Sequence, residues 1–358
     1  MSDTNKYFWQ SLNKPIIGLS PMDGVTDYSY RFIQKKYGDP SVLYTEFSSV
    51  EGITHDSSTF LKEFLYDPEQ GPIVAQIFGT DVDAFYQAAI VVCELGFDGI
   101  DINMGCPAKN VAHRGAGAGL IKTPELARQI IASVKQAAAD WSNGKSLKAG
   151  APTLKKRLTD EIKRRHDTLP ASRQQRRLLP VSVKTRIGYD HEQVAEWIPN
   201  LLEMQPATIA LHGRTLTQHY GGSANWDAIA KAAALAKNSG TLILGNGDVH
   251  SLTDANEKIA KFGVDGVLIG RATFGNPFIF KGHSEPTVQD LAPIAIEHAE
   301  HFEKHFSTYE KYNFMPMRKH LGWYIRGVEN ASQIRTELFQ SSSASEVKDI
   351  LTRHKLIH

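Results

Sequence analysis

The sequence predicts an α/β fold, a (β/α)8 TIM barrel followed by a small C-terminal helical domain, and three observations carry that expectation. Eight short runs of consecutive apolar or β-branched residues recur between Ile16 and Gly270, with polar or glycine-containing loops after them and helix-like stretches between several. Runs that are apolar at consecutive positions suit strands buried on both faces, and eight strand–helix alternations favour closure into a barrel over an open sheet. After Pro277 the alternation stops and only helical patterns follow. The 358-residue length accommodates both parts, a barrel of about 250 residues and an appendage of about 100.

In chain order, the strand runs are 16–20, 42–45, 73–76, 99–103, 181–184, 208–212, 242–245 and 266–270. Amphipathic stretches at 81–95, 124–138 and 226–237 supply helices between them. The stretch 139–179 interrupts this rhythm between the fourth helix and the fifth strand. It is polar and basic, carries Gly144, Gly150, Pro152 and Pro170, and reads as an insertion with one helix around 153–166. The boundary of the barrel domain (1–282) is expected at 283–286. A helical domain (283–358) follows, with helices at 290–305, 317–326 and 345–354.

Hydrophobic residues make up 41% and charged residues 22%, which excludes disordered and collagen-like chains. Two cysteines, Cys93 and Cys106, exclude a disulfide scaffold and any Cys-rich zinc or iron–sulfur centre. The apolar stretches fall far short of the ~18 residues needed to span a bilayer, and MSDTNKYFWQ has neither a basic nor an apolar signal region. The expectation is a cytoplasmic, monomeric enzyme away from membranes. The net charge of +1 conceals an asymmetry: residues 135–177 hold 12 Lys/Arg against 4 Asp/Glu, a local +8, leaving −7 for the rest. Such a segment is either a solvated basic helix or a surface for a phosphate backbone.

Barrel enzymes gather their ligand-binding side chains where strands end at the C-terminal face. The first run leads into Ser20-Pro21-Met22-Asp23-Gly24 and the third ends at Gln76. The fourth leads into Asn103-Met104-Gly105-Cys106-Pro107, the fifth into Lys184-Thr185-Arg186 and the sixth into His212-Gly213-Arg214. The last two lead into Gly245-Asn246-Gly247-Asp248 and Gly270-Arg271. Amide, amine, imidazole and guanidinium groups converge without a carboxylate cluster, which suits a polar anionic ligand rather than a metal. The glycine-rich turns after strands seven and eight lie where barrels often hold a phosphate, with backbone N–H groups and Arg271 as donors. Lys184 is either a salt-bridged strand terminus or a contact to an electron-rich cofactor atom. His212 is a structural imidazole or a ligand contact. Cys93 lies in an apolar helix and reads as core, whereas Cys106 lies between a glycine and a proline in a polar cleft. Its thiol, mostly protonated near neutrality, suits a general acid; no Cys-His-Asn order supports a nucleophile.

These motifs identify a resemblance. With Thr45-Glu46-Phe47, Gln76-Ile77-Phe78-Gly79 and above all Asp101-Ile102-Asn103-Met104-Gly105-Cys106-Pro107, the chain resembles the tRNA-dihydrouridine synthases, in their bacterial type-B branch, from about Pro15 to Asn330. The resemblance implies an enzyme that binds FMN and uses NADPH to reduce a uridine of tRNA to 5,6-dihydrouridine. Hydride passes from reduced flavin to C6, and Cys106 protonates C5. It further implies that Pro21, Met22 and Asp23 line the flavin ring and that Gln76 and Lys184 contact its polar edge. His212 lies near the ring or phosphate, and Asn246, Gly247, Asp248, Gly270 and Arg271 hold the phosphate. Asn103 lies near the uracil, assisted by Arg186. Arg318, Lys319, His320, Tyr324 and Arg326 are the expected RNA platform, with a buried amphipathic face through Leu321 and Ile325 as the plainer reading. Two departures stand out: Asp23 occupies a position where the family more often has a small residue, and the 139–179 segment is longer than usual and is expected to contact tRNA. The competing readings are an FMN barrel acting on a small molecule and an RNA-binding protein on a degenerate barrel. No metal is expected, and no separate GxGxxG dinucleotide unit is visible.

Overall fold

Each of the eight runs forms a strand: β1 (Ile16–Leu19), β2 (Leu43–Ser49), β3 (Ile73–Phe78), β4 (Gly99–Met104), β5 (Val181–Arg186), β6 (Thr208–His212), β7 (Leu242–Asn246) and β8 (Gly266–Ile269). The structure, a computed structural model, describes residues 8–54, 59–219, 221–282, 285–309 and 312–357. All strand pairs are parallel, in the order β1-β8-β7-β6-β5-β4-β3-β2. The remaining seam is closed by the chain leading into β2, where Ser41 N donates to Ile17 O (2.9 Å) and Leu19 N to Val42 O (3.0 Å). The longer helices are α1 (Tyr28–Gly38), α2 (Val82–Glu94), α3 (Pro124–Ser142), α4 (Lys156–Thr168), α5 (Val194–Leu202), α6 (Trp226–Ala236) and α7 (Leu252–Phe262). The C-terminal region adds α8 (Val288–Phe306), α9 (Met315–Tyr324), α10 (Ala331–Leu338) and α11 (Ala344–Arg353).

Successive strand residues face opposite sides of the sheet. One set, including Ile17, Leu19, Ile73, Ala75, Ile100, Ile102, Val183, Ile209 and Ile243, joins the main core with the surrounding helices. The alternate set, Ile16, Val42, Tyr44, Val74, Ala210, Leu244 and Leu268, clusters with Trp9. Two residues further along, the same alternation places Gln76, His212 and Asn246 on the inner face. Strand pairing sets Gln76 beside Asp101, Asp101 beside Ser182, and Asn103 beside Lys184. The barrel therefore has an apolar lower layer and a polar upper layer, and the upper layer is the site.

The C-terminal helices have their own buried cluster, including Leu291, Phe302, Met317, Leu321, Leu338 and Leu351, joined by Tyr28 and Ile33 from α1. Helix α9 ends at Tyr324, short of the expected 326, because Ile325 turns to an extended backbone (φ −97°, ψ 96°). The expected RNA platform needs correction here. His320 and Tyr324 are buried in this core, while Arg318 and Lys319 are half-buried and Arg326 is exposed. The domain boundary expected from His283 falls partly outside the described residues. No helix among the described residues is long and apolar enough to cross a membrane.

Within the basic segment, α4 starts three residues later than expected. It buries Leu158 and Ile162, one turn apart, and exposes Lys156, Arg157 and Lys163. Further on, Arg173 and Arg177 converge on Asp98 (3.2 and 3.3 Å) and on the carbonyls of Gly96 and Phe97 (2.9 and 3.0 Å). Asp98 immediately precedes β4, so the segment is anchored at the barrel end opposite the C-terminal ends of the strands. Part of its positive charge is thus used structurally.

Candidate active site

At the C-terminal ends of the strands lies a cavity of about 920 Å3. Every residue predicted for the site lines it: Pro21, Met22 and Asp23 after β1; Gln76 on β3; Asn103 and Cys106 at β4; Lys184 and Arg186 on β5; His212 on β6; Asn246, Gly247 and Asp248 at β7; Gly270 and Arg271 after β8. Among the described residues, no group of three or more His, Cys, Asp or Glu side chains is arranged to hold a metal ion.

A ladder of side chains crosses the cavity floor. Ser182 Oγ donates to Asp101 Oδ1 (2.6 Å), and Gln76 Nε2 donates to Asp101 Oδ2 (2.7 Å). Gln76 Oε1 in turn accepts from Asn103 Nδ2 (2.9 Å). Asn103 Oδ1 accepts from the backbone amides of Gly105 (3.0 Å) and Cys106 (2.9 Å). The other side of this loop is held by Arg186, which donates from Nε to Gly105 O (2.7 Å) and from Nη1 to Thr215 O (3.0 Å). Beneath it, Ala118 N donates to Cys106 O (3.2 Å), and Gly117 sits at φ +55° with no room for a side chain: a Cβ would lie 2.9 Å from Cys106 O. The thiol loop is therefore pinned from three directions.

Burial pushes the Cys106 thiol above its ordinary value; the Asp23 carboxylate adds to this, against a hydrogen bond from the Ala108 amide and the charges of Arg186 and Lys184. It carries its proton at neutral pH. Cys93, by contrast, is wholly buried in the core. The Lys184 ammonium is pushed down to about 8 by burial and by Arg186, partly offset by Asp101 and Cys106. Its Nζ has no hydrogen-bond partner among the described residues. Burial, with the cations Arg186, Lys184, Arg214 and Arg271 around it, holds His212 well below its ordinary value, so the imidazole is neutral. Gly247 (φ +117°) lies against that ring, where a Cβ would come within 2.9 Å of Cδ2.

Asp248 differs from the simple expectation of a phosphate contact. Arg214 grips its carboxylate at 3.0 and 2.7 Å, Arg271 Nη2 reaches Oδ1 at 3.0 Å, and Ala224 N donates to Oδ2 at 2.8 Å. Burial alone would raise this carboxyl, but these donors hold it below its usual range. Asp248 thus positions Arg271. Likewise, Asn246 Nδ2 donates to Leu268 O (2.8 Å), fixing its side chain against β8. Asp23 is raised by burial, with Lys319 opposing. Phe274, on the cavity wall, stacks on Trp323 of α9 with ring centroids 3.9 Å apart.

These residues fit a phosphate-bearing flavin: the Lys184 ammonium, which has no hydrogen-bond partner among the described residues, a glycine turn at Gly247, and the Arg271 guanidinium after the last strand. Residues 18–145 and 158–357 match the model of the family described as Dihydrouridine synthase. The chain belongs to that family. It is 31% identical over 350 residues to a Staphylococcus epidermidis protein named "Probable tRNA-dihydrouridine synthase", covering 96% of this chain and 95% of that protein. It is 33% identical over 353 residues to a Bacillus subtilis protein named "Probable tRNA-dihydrouridine synthase 2", covering 96% and 95%. Among solved structures, the old yellow enzyme from Trypanosoma cruzi is similar at 12% identity and a TM-score of 0.44, over 84% of this chain and 96% of that one.

The dihydrouridine synthase match runs on to residue 357, beyond the motif resemblance that stops near Asn330, and it skips 146–157 inside the basic segment. In this dihydrouridine synthase family member, several residues that hold the cavity's side chains escaped sequence reasoning. Asp101 shares a strand face with Asn103 two residues on, and that period-2 spacing was its available signal. Arg214 was visible only as part of a motif; its grip on Asp248 depends on the β6–β7 pairing. Ser182 and Gly117 carried no local signal, Thr215 was visible only beside the His212-Gly213-Arg214 motif, and Lys319 was expected on the RNA platform and not at the cavity wall.

Proposed function

We propose that this chain reduces a uridine of tRNA to 5,6-dihydrouridine, with FMN in the cavity, NADPH as reductant and Cys106 as the proton donor. The observation that carries this reading is a thiol, pinned by its own backbone at the rim of a polar cavity whose floor holds the Lys184 ammonium, with no hydrogen-bond partner for it among the described residues. Bound FMN, once reduced by NADPH, supplies the hydride that adds to C6 of the uracil.

The chain's own residues do the rest. Lys184, on the cavity floor, would meet the polar edge of a bound flavin, where its charge would favour electron density on the ring. Gln76 retains one N–H for the same edge. Gly247, Gly270 and Arg271 offer donors to the phosphate, Asn246 and Asp248 hold the surrounding turn, and His212, being neutral, adds a further polar contact. Pro21, Met22 and Asp23 line the cavity wall and would flank the ring. Asn103 and Arg186 border the uracil and hold the Cys106 loop. Cys106 delivers its proton to C5, and the thiolate left behind, with a raised proton affinity, recovers one from solvent.

The base must leave its stack to reach this thiol, at a cost of a few kcal/mol where tRNA structure does not already expose it. Recognition then rests on RNA shape and phosphates. A division at 282/283 assigns chemistry to the barrel and RNA docking to the helices 283–358, with Lys319 and Arg326 at the junction, bonded to the carbonyls of Gly24 and Gly275.

The deciding experiment measures dihydrouridine in unmodified tRNA after incubation with the protein and NADPH, for wild type and Cys106→Ala. Product from wild type and a strong loss in the variant are expected. A protein that retains FMN and oxidises NADPH yet leaves tRNA unchanged would overturn this reading in favour of a small-molecule reductase.

A further inference from the structure

The ladder across the cavity floor has a direction. A carboxylate accepts hydrogen bonds at both oxygens, whereas an amide side chain accepts at one end and donates at the other. Because Asp101 Oδ2 faces Gln76, Gln76 must turn its Nε2 toward it and its Oε1 toward Asn103. Because Gln76 then offers an acceptor, Asn103 must turn its Nδ2 inward and its Oδ1 outward. Only in that orientation does Asn103 accept from the amides of Gly105 and Cys106. A reversed ladder would set two N–H groups of the loop against the Asn103 amino group, leaving buried donors unmatched.

We propose that Asp101 is a positioning residue whose carboxylate sets the direction of the Gln76–Asn103 relay and thereby holds the backbone of Cys106. It touches neither the thiol nor the loop itself, since Gln76 and Asn103 lie between. Ser182 supports it from below and Thr45 Oγ1, by accepting from Gln76 N (3.0 Å), fixes the backbone of the middle member. Lys184, paired with Asn103 across β4 and β5, adds a cation beside the carboxylate. The catalytic meaning of this relay rests on the proposed role of Cys106. The positioning itself does not, and it is read without tRNA or NADPH.

The test is the rate at which iodoacetamide alkylates Cys106 across pH, followed by peptide mass spectrometry on the full-length protein as purified, with buried Cys93 as the internal control. Asp101→Leu removes the acceptor and is expected to alkylate about tenfold faster, with a pH profile shifted downward as the thiol gains solvent. Asp101→Asn is expected to stay near wild type, since its amino group can turn onto Ser182 Oγ and leave Oδ1 for Gln76. Ser182→Ala, with the carboxylate intact, is also expected to stay near wild type. The double variant Asp101→Asn/Ser182→Ala has no hydroxyl to receive the amino group, so the relay reverses and the rate rises to that of Asp101→Leu. Should Asp101→Leu fail to fold, the double variant carries the test. A double variant no faster than its two parents overturns the proposal. Failure of wild type to form dihydrouridine would leave these rates untouched, so the two readings fail separately.

Discussion

Lys319 on α9 donates its ammonium to the carbonyl of Gly24, in the loop whose neighbours Asp23 and Val25 line the cavity. A helix of the C-terminal region thus holds one wall of the site and sets a positive charge beside Asp23. Lys319→Met keeps the side-chain length and removes that bond. Its unfolding free energy is expected to fall by about 1 kcal/mol in urea titration, with dihydrouridine formation falling further than flavin content. An unchanged turnover on tRNA would show that the contact is only structural.

Lys184 is expected to trade stability against function. Its charge is disfavoured by burial in the flavin-free protein, so Lys184→Met should stabilise that form by about 2 kcal/mol while FMN retention drops. The sign follows from its folded value of about 8 against the ordinary 10.5. The unfolded chain binds the proton more tightly, so the penalty is full below about 8 and disappears as pH rises toward 10.5. Denaturation of wild type and variant across that window should converge at its upper end.

The Asp248 carboxylate neutralises Arg214, whose side chain is only 3% exposed. Asp248→Asn leaves that guanidinium buried without its counter-charge. It is expected to cost about 3 kcal/mol of stability, and to loosen Arg271 so that FMN dissociates about tenfold more readily. Fluorescence titration of flavin-depleted protein measures the second effect.

Glu46, near Asp27 and Arg31, and Glu63, near Asp23, are half-buried and lie outside the cavity lining. Burial raises Glu46 to about 8, with the Asp27 charge adding and Arg31 opposing, and burial raises Glu63 to about 7. A raised carboxyl contributes stability that is full below its ordinary value of 4.5 and is lost as pH rises through the folded value. Wild-type stability should therefore decline between pH 4.5 and about 8 from this source. Glu46→Gln should flatten that decline and gain more than about 1 kcal/mol at its alkaline end.

For the basic segment, the charges that face solvent on α4 are the informative ones. Lys156→Glu/Arg157→Glu/Lys163→Glu is expected to weaken tRNA binding and to lower the slope of log affinity against log salt by about 2 to 3. An identical slope would assign these side chains to a solvated face.

How much of this was legible in the sequence depended on burial. Strands such as 73–76 and 208–212 were readable because both faces are covered and Ile73 to Ala75 and Ile209 to Leu211 are apolar at consecutive positions. Helix α7 was not, because only Ala255 on it is fully buried, and α5 was masked by its internal Pro199. Strand β2 runs four residues past the expected end, carried beyond Thr45 by a register shift between Tyr44 and Phe47 that apolar patterning does not encode. The site was legible as a ring of polar strand ends. What holds those ends was not: Asp101 beneath Gln76, Arg214 behind Asp248 and Lys319 reaching across from α9 are contacts between elements distant in sequence, and local patterns carry no trace of them.

The stack of Phe274 on Trp323 joins a cavity wall to an indole of the C-terminal helices, with the ring planes almost parallel at 5°. Indole emission responds to the polarity and polarisability of whatever lies a ring away. The molecule thus contains its own fluorophore at the seam between wall and helix, and loading of the cavity should be visible as a change in tryptophan emission without any label attached.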